Sequence, residues 1–228
     1  MMVITRKTLE TLLKRSCPSK DDTRRHLMAL RFEGSSCVST DGHRIHVLPV
    51  ACDGEITANV PVWAIQAALA ALDKDQAPIG ITALAGKIAI DFPGRDGKNT
   101  IRTHGDSFPP WQQVTSSGAP EATLAGKISG LLKLARGIKA EAIVFVGQGN
   151  CKVAVFAEGD PGNVVVVLEC DQSWSGRVGL NPRYLVDGLM ALKSTGSTEC
   201  TLDVHGELEP VKLEGNSGGV VVIMPRRV

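Results

Sequence analysis

The feature that most constrains this chain is that it repeats itself. Leu9, Leu12, Leu13 and Ser16 fall at the i, i+3, i+4, i+7 spacing of one helix face. Ile128, Leu131, Leu132 and Ala135 repeat that spacing 119 residues later. A second set, Val60, Leu69, Ala71 and Leu72, superposes on Leu180, Leu189, Ala191 and Leu192 at an offset of 120. Two independent sets at nearly one offset define a tandem duplication. The 228 residues then divide into two domains of ordinary size.

Within each half the pattern repeats again. Amphipathic helices are predicted over 6–16, 61–74, 126–139 and 181–194. Each is followed by three short strand-like stretches, such as "LMALRFEG", "SCVSTDG" and "HRIHVLPV" after the first. A further strand leads in, as "MMVIT" and "EITANV" do. The expected architecture is α+β: two tandem domains, each of two β-α-β-β-β units. "FPPWQQVTSSGAPEA" (108–122), rich in Pro, Ser and Gly, reads as the linker, with domains at 1–115 and 116–228.

Composition narrows the function classes. Lys and Arg total 25 against 24 acids, so net charge alone points to no nucleic-acid partner. Any basic surface must come from sorting of charges within the fold. No apolar run is long enough to span a bilayer, and "MMVITRKTLE" has no signal-peptide core, which predicts a cytoplasmic protein without a membrane partner. Cys17, Cys37, Cys52, Cys151, Cys170 and Cys200 form no C-x-x-C, and several lie in apolar strand-like runs. They read as reduced core thiols. His26, His104 and His205 stand alone in the sequence, and His43 and His46, three apart on a strand, face opposite ways. No H-E-x-x-H, G-x-S-x-G or P-loop pattern is present. The glycine pairs in "GQGN" and "NSGG" lead into no helix and read as turns. The expectation is no enzyme, no metal and no cofactor.

"STDGHRIHV" (39–47) interrupts an alternating strand pattern. Asp41-Gly42 predicts a two-residue hairpin turn with positive φ at both positions. Around it the chain resembles a known family. "TRRHLMALRFEG…VSTDGHRIHV" (23–47), "FPPWQQV" (108–114), "NPRYLVDGLMAL" (181–192) and "LEPVKLEG…VVVIMPRRV" (208–228) are similar to the bacterial DNA polymerase sliding clamp, the β subunit. The order and spacing of the motifs agree across nearly the whole chain. The family has three clamp (processivity-fold) domains per chain. This sequence resembles the second and third and lacks a counterpart of the first. Since the family ring has six domains, two per chain imply a homotrimer.

The resemblance implies partners and sites. Replicative polymerase and clamp loader would dock linear peptides on an apolar groove. The matching positions are Leu27, Thr40, Gly42, His43, Arg44, Ile45, Pro109, Val114, Val222, Met224, Pro225, Arg226 and Arg227. Gly42 would keep the hairpin low for a peptide backbone, and Met224 would offer an adaptable apolar wall. Leu27, Ile45, Val222 and Met224 also read as ordinary core positions. Arg226 stands where the family usually has methionine, which would narrow the groove or favour acidic flanks.

Double-stranded DNA, encircled without sequence preference, would meet Lys7, Lys14, Arg24, Arg25, His26, Lys127, Lys133 and Arg136. Arg15, Lys139, Arg183 and Lys193 are further bases on the same helices, and helix two contributes Gln66 and Lys74. Bases on an amphipathic helix are equally a solvated face. The stronger sign is collective: residues 126–139 carry four bases and no acid. Two readings remain open: a ring-forming processivity clamp, and a clamp-like regulatory protein that sequesters clamp-binding peptides without closing a ring.

Overall fold

The structure is a computed structural model that describes residues 2–16, 23–71, 79–84, 87–91, 99–102, 107–115, 118–160 and 163–228. Contacts divide the chain into two compact units, Met1–Pro109 and Pro110–Val228.

In the first unit the order is β1 (Met2–Ile4), α1 (Arg6–Arg15), a 3-10 turn (Arg25–Leu27), β2 (Ala29–Glu33), β3 (Ser36–Thr40), β4 (Arg44–Pro49) and β5 (Ala51–Cys52). Then come β6 (Thr57–Pro61), α2 (Val62–Ala71), β7 (Ile79–Leu84), β8 (Lys87–Asp91) and β9 (Asn99–Arg102). The two halves of the unit exchange their leading strands. β1 pairs with β7, so its sheet runs β5-β1-β7-β8-β9. β6 pairs with β2, and that sheet continues through β3 to β4. Met2, Ile4, Leu9, Leu12, Leu30, Phe32, Leu48, Ile65, Ile79, Ile81 and Ile88 are buried in this unit.

The second unit repeats the plan after a short helix. It contains α3 (Trp111–Thr115), β10 (Ala122–Lys127), α4 (Ile128–Gly137), β11 (Ile143–Gly147), β12 (Lys152–Ala157) and β13 (Val166–Glu169). β14 (Arg177–Leu180), α5 (Pro182–Ser194), β15 (Glu199–Val204), β16 (Val211–Gly215) and β17 (Val220–Ile223) complete it. Again the leading strands cross over: β10 joins β15-β16-β17, and β14 joins β11-β12-β13.

Most of the duplicated positions behave alike, the exception among the described residues being Leu13, half-buried where Leu132 is buried. Leu9 and Ile128, Leu12 and Leu131, Val60 and Leu180, and Leu69 and Leu189 are all buried. Helix starts follow local chemistry. Thr5 caps α1 by accepting from the Thr8 N–H at 3.1 Å. Asn181 caps α5 by accepting from the N–H of Arg183 at 2.9 Å, with Pro182 in the first turn.

Two sequence expectations change, and a third is described only in part. The stretch expected to be a linker contains helix α3, and β10 begins at its last residue, Ala122. The helix expected over 61–74 is described as Val62–Ala71; residues 72–74, with Lys74, lie outside the described residues, as do Cys17 and His104. The thiols are not all core. Cys37 and Cys200 are buried, Cys52 and Cys170 are half-buried, and Cys151 is exposed. Burial pushes the Cys200 thiol up to about 12. Among the described residues no helix is long and apolar enough to cross a membrane.

Candidate functional site

The hairpin between β3 and β4 is built on side-chain acceptors. Thr40 pairs opposite Ile45, and Asp41 to Arg44 make the turn. This corrects the expected two-residue turn: of Asp41 and Gly42, only Gly42 has positive φ, at 85°. Asp41 makes the difference. Its Oδ1 accepts from the N–H groups of His43 at 3.0 Å and Arg44 at 3.2 Å, and its Oδ2 accepts from Arg44 Nε at 3.0 Å. The Thr40 hydroxyl donates to the Arg44 carbonyl at 2.7 Å and accepts from the Gly42 N–H at 3.0 Å. A local Asx-type scaffold of this kind replaces the backbone pairing a tighter turn would make.

The Asp41–Arg44 ion pair is itself sequestered, with side-chain exposures of 14% and 6%. Thr40, Arg44 and Ile45 are buried, whereas Gly42 and His43 are exposed. Leu27, at the end of the 3-10 turn, is buried, and its Cδ1 lies 3.7 Å from where a Cβ on Gly42 would sit. The Arg24 guanidinium occupies the space immediately over Gly42. Leu27, Arg24 and the turn are therefore brought together, and Gly42 admits an arginine above it.

Below the turn, His46 is wholly buried opposite Ser39, and Ser39 hydrogen-bonds Ser16 at the end of α1. Among the described residues neither ring nitrogen of His46 has a hydrogen-bond partner. Burial first, then the charges of Arg44 and Arg15, push its pKa down to about 3.

In the second unit, α3 packs on β17, and it carries the exposed Val114. Val222 on β17 is buried; Met224, just past the strand, is 41% exposed. The tail beyond it is tied to β14. The Arg226 N–H donates to the Gly179 carbonyl at 2.8 Å. The Arg226 guanidinium donates to the Glu141 carbonyl at 3.0 Å and to its carboxylate at 2.9 Å. Pro225 is half-buried and Arg227 exposed; Pro109, the last residue of the first unit, is half-buried. Val222 is thus a core residue, and Arg226 has a fixed partner. Sequence reasoning gave Asp41 only a backbone role in the turn and did not single out Glu141.

The basic positions are mostly at the surface. Lys7 and Lys14 on α1 are exposed, Arg24 is half-buried, Arg25 lies in the 3-10 turn, and His26 is exposed. Lys127, Lys133, Arg136 and Lys139 are exposed along and beside α4. α4 and α5 pack together, and Arg136 approaches Met190 Sδ at 3.5 Å. α5 adds exposed Arg183 and Lys193; its one acid, Asp187, is buried with Arg183 4.0 Å away. On α1 the single acid, Glu10, pairs with Arg6 at 2.8 Å. α2 presents exposed Gln66 and a 65% exposed Trp63, an aromatic that the sequence pattern did not single out. The outward helix faces of the second unit therefore carry bases with almost no exposed acid. Among the described residues no cluster of three or more His, Cys, Asp or Glu is placed to hold a metal.

No protein-family model matches the sequence, and no curated protein matches it by sequence. Solved structures do match. The DNA polymerase sliding clamp from Bacillus subtilis superposes with a TM-score of 0.75 at 16% identity, covering 100% of this chain and 64% of that one. The chain has the sliding-clamp fold. The DNA polymerase III subunit beta from Pseudomonas aeruginosa gives a TM-score of 0.73 at 18% identity, over 100% and 66%. The beta subunit from the DNA polymerase of Streptococcus pyogenes gives 0.73 at 14%, over 99% and 65%. The clamp fold accordingly extends over all of this chain and over just under two thirds of each solved clamp.

Proposed function

We propose that the chain is a DNA sliding clamp that closes as a ring of three copies around duplex DNA and tethers polymerase and loader through linear peptides. The observation that carries this reading is the clamp fold across the whole chain, with two units where the resemblance implies six to a ring. The basic, acid-poor faces of α4 and α5 support a sequence-independent phosphate contact. In this reading Lys7, Lys14, Arg24, Arg25, His26, Lys127, Lys133 and Arg136 face the duplex.

Self-association needs an open sheet edge, and β13 ends its sheet. Val164, Val165 and Val167 are each 50% exposed there. A groove of about 670 Å³ runs beside that edge, with Leu131, Leu134, Ile138, Val166 and Leu168 among its lining. An apolar strand edge of this kind is a template for pairing. Its proposed occupant is β9 of a second copy, which among the described residues also ends its sheet. Light scattering across a concentration series tests this: the native mass should rise to three chains. Val167→Lys should weaken association at least tenfold, since a lysine on an edge opposes pairing. A native protein that remains one chain at high concentration overturns the ring.

For partner peptides, the exposed Met224 and Val114 are proposed as an apolar contact in the second unit, and the Thr40–Ile45 hairpin with Leu27 as a contact in the first. Pro109, Val222 and Pro225 shape these segments. Arg226 acts here by holding the tail that carries Met224, while Arg227 remains free to meet a ligand. Met224→Asp should reduce affinity for a Leu/Phe-ended clamp-binding peptide at least tenfold with an unchanged unfolding midpoint, because the side chain is already at the surface. Unchanged affinity in a titration would remove Met224 from the site.

A further inference from the structure

We propose that Cys151 and Cys170 form a reversible disulfide, with a low-molecular-weight disulfide of the glutathione class as oxidant. The strand register carries the argument. β12 and β13 pair antiparallel, with Val153 opposite Leu168 and Lys152 opposite Glu169. The ladder ends there, and just beyond it the Cys170 N–H donates to the Cys151 carbonyl at 3.0 Å, which keeps the two cysteines at adjacent positions of the neighbouring chains. Residues opposed across an antiparallel pair have Cα atoms about 4.5 to 5.5 Å apart. Disulfides span Cα separations of about 4.4 to 6.8 Å.

The surroundings favour reaction. Cys151 is exposed and Cys170 half-buried, unlike Cys37 and Cys200 in the core. Cys151 sits at the loop end of its strand with φ of 57°, so its side chain is not held by a regular ladder on both sides. The Cys170 thiol donates to the Gln172 carbonyl at 3.0 Å, a weak bond that is given up when sulfur bonds sulfur. Partial burial and then the neighbouring Cys151 push the Cys170 thiol above its usual range. The exposed Cys151 is therefore the first nucleophile.

The chemistry balances in two exchanges. The Cys151 thiolate attacks one sulfur of glutathione disulfide, forming a mixed disulfide and releasing one glutathione thiolate. The Cys170 thiolate then attacks the Cys151 sulfur, forming the intramolecular bond and releasing the second. Two electrons pass from the protein thiols to the oxidant, and the two thiol protons leave with the two glutathiones. The product ties the edge strand β13 to β12 at the end where Cys170 also bridges to Leu124 of β10.

The test uses the full chain incubated with glutathione disulfide, followed by non-reducing tryptic mapping. The expected product weighs two hydrogens less per chain, joins segments 140–152 and 153–177, and lowers the thiol count from six to four. Dithiothreitol should restore all six. In Cys170→Ser, a glutathione adduct should instead persist on Cys151. A lasting adduct on Cys151 in the native protein, a Cys151 bond to any other cysteine, or no reaction at either residue overturns the proposal.

Discussion

Asp41→Ala should cost about 2 to 3 kcal/mol of stability, read as a fall in the urea midpoint of the first unit. Two losses combine. The substitution removes the acceptor for the His43 and Arg44 N–H groups, and it leaves the Arg44 guanidinium, 6% exposed, without its carboxylate. Loss of the carboxylate from a sequestered, charge-assisted pair is among the few surface-near changes that reach this size. Asp41→Asn separates the two contributions, because its side-chain carbonyl still accepts the backbone N–H bonds. It should fall between native and Asp41→Ala. Equal stabilities for all three proteins would mean that the turn does not depend on Asp41.

The second large effect is acid sensitivity through His46. Its folded pKa lies near 3, while an unfolded histidine titrates near 6.5. Between those values the unfolded chain binds the proton and the folded chain does not. Stability is therefore complete above about pH 6.5 and falls by about 1.4 kcal/mol per pH unit as the pH drops towards 3. His46→Leu removes this linkage. Carboxylates also titrate in acid, so the informative quantity is the difference between the two proteins. From pH 7 to 4.5 the native protein should lose about 3 kcal/mol more than the variant. At pH 7 the variant should be no less stable, since it deletes a buried ring with two unpartnered nitrogens. Parallel stability curves would show that His46 reaches water or a partner.

Element types were legible in the sequence because each carries its own periodicity. Leu9, Leu12, Ile128 and Leu131 are buried as their spacing requires, and β7 occupies the stretch "IGITAL". Pairing was not legible. Nothing in "MMVIT" says that it joins β7 rather than β2, because an alternating pattern marks a face and names no neighbour. The exchange of leading strands is consequently a property of the fold and not of any segment. The same limit hid the site chemistry. Arg226 could be read as a charge in a groove, whereas its partner Glu141 lies 85 residues away. The turn was misread because "DG" suggests backbone geometry, while the Asp41 side chain supplies the acceptors. Cys151 and Cys170 adjoin apolar runs, but they sit at strand ends where burial stops.

Retention on DNA tests encirclement most directly. A closed ring stays on a circle by topology while its phosphate contacts remain weak and salt-sensitive. Protein loaded on a nicked circular plasmid should survive moderate salt during gel filtration, then be lost when the plasmid is cut once. Equal loss from circular and linear DNA at the same salt would contradict the ring and favour a clamp-like protein that only captures partner peptides.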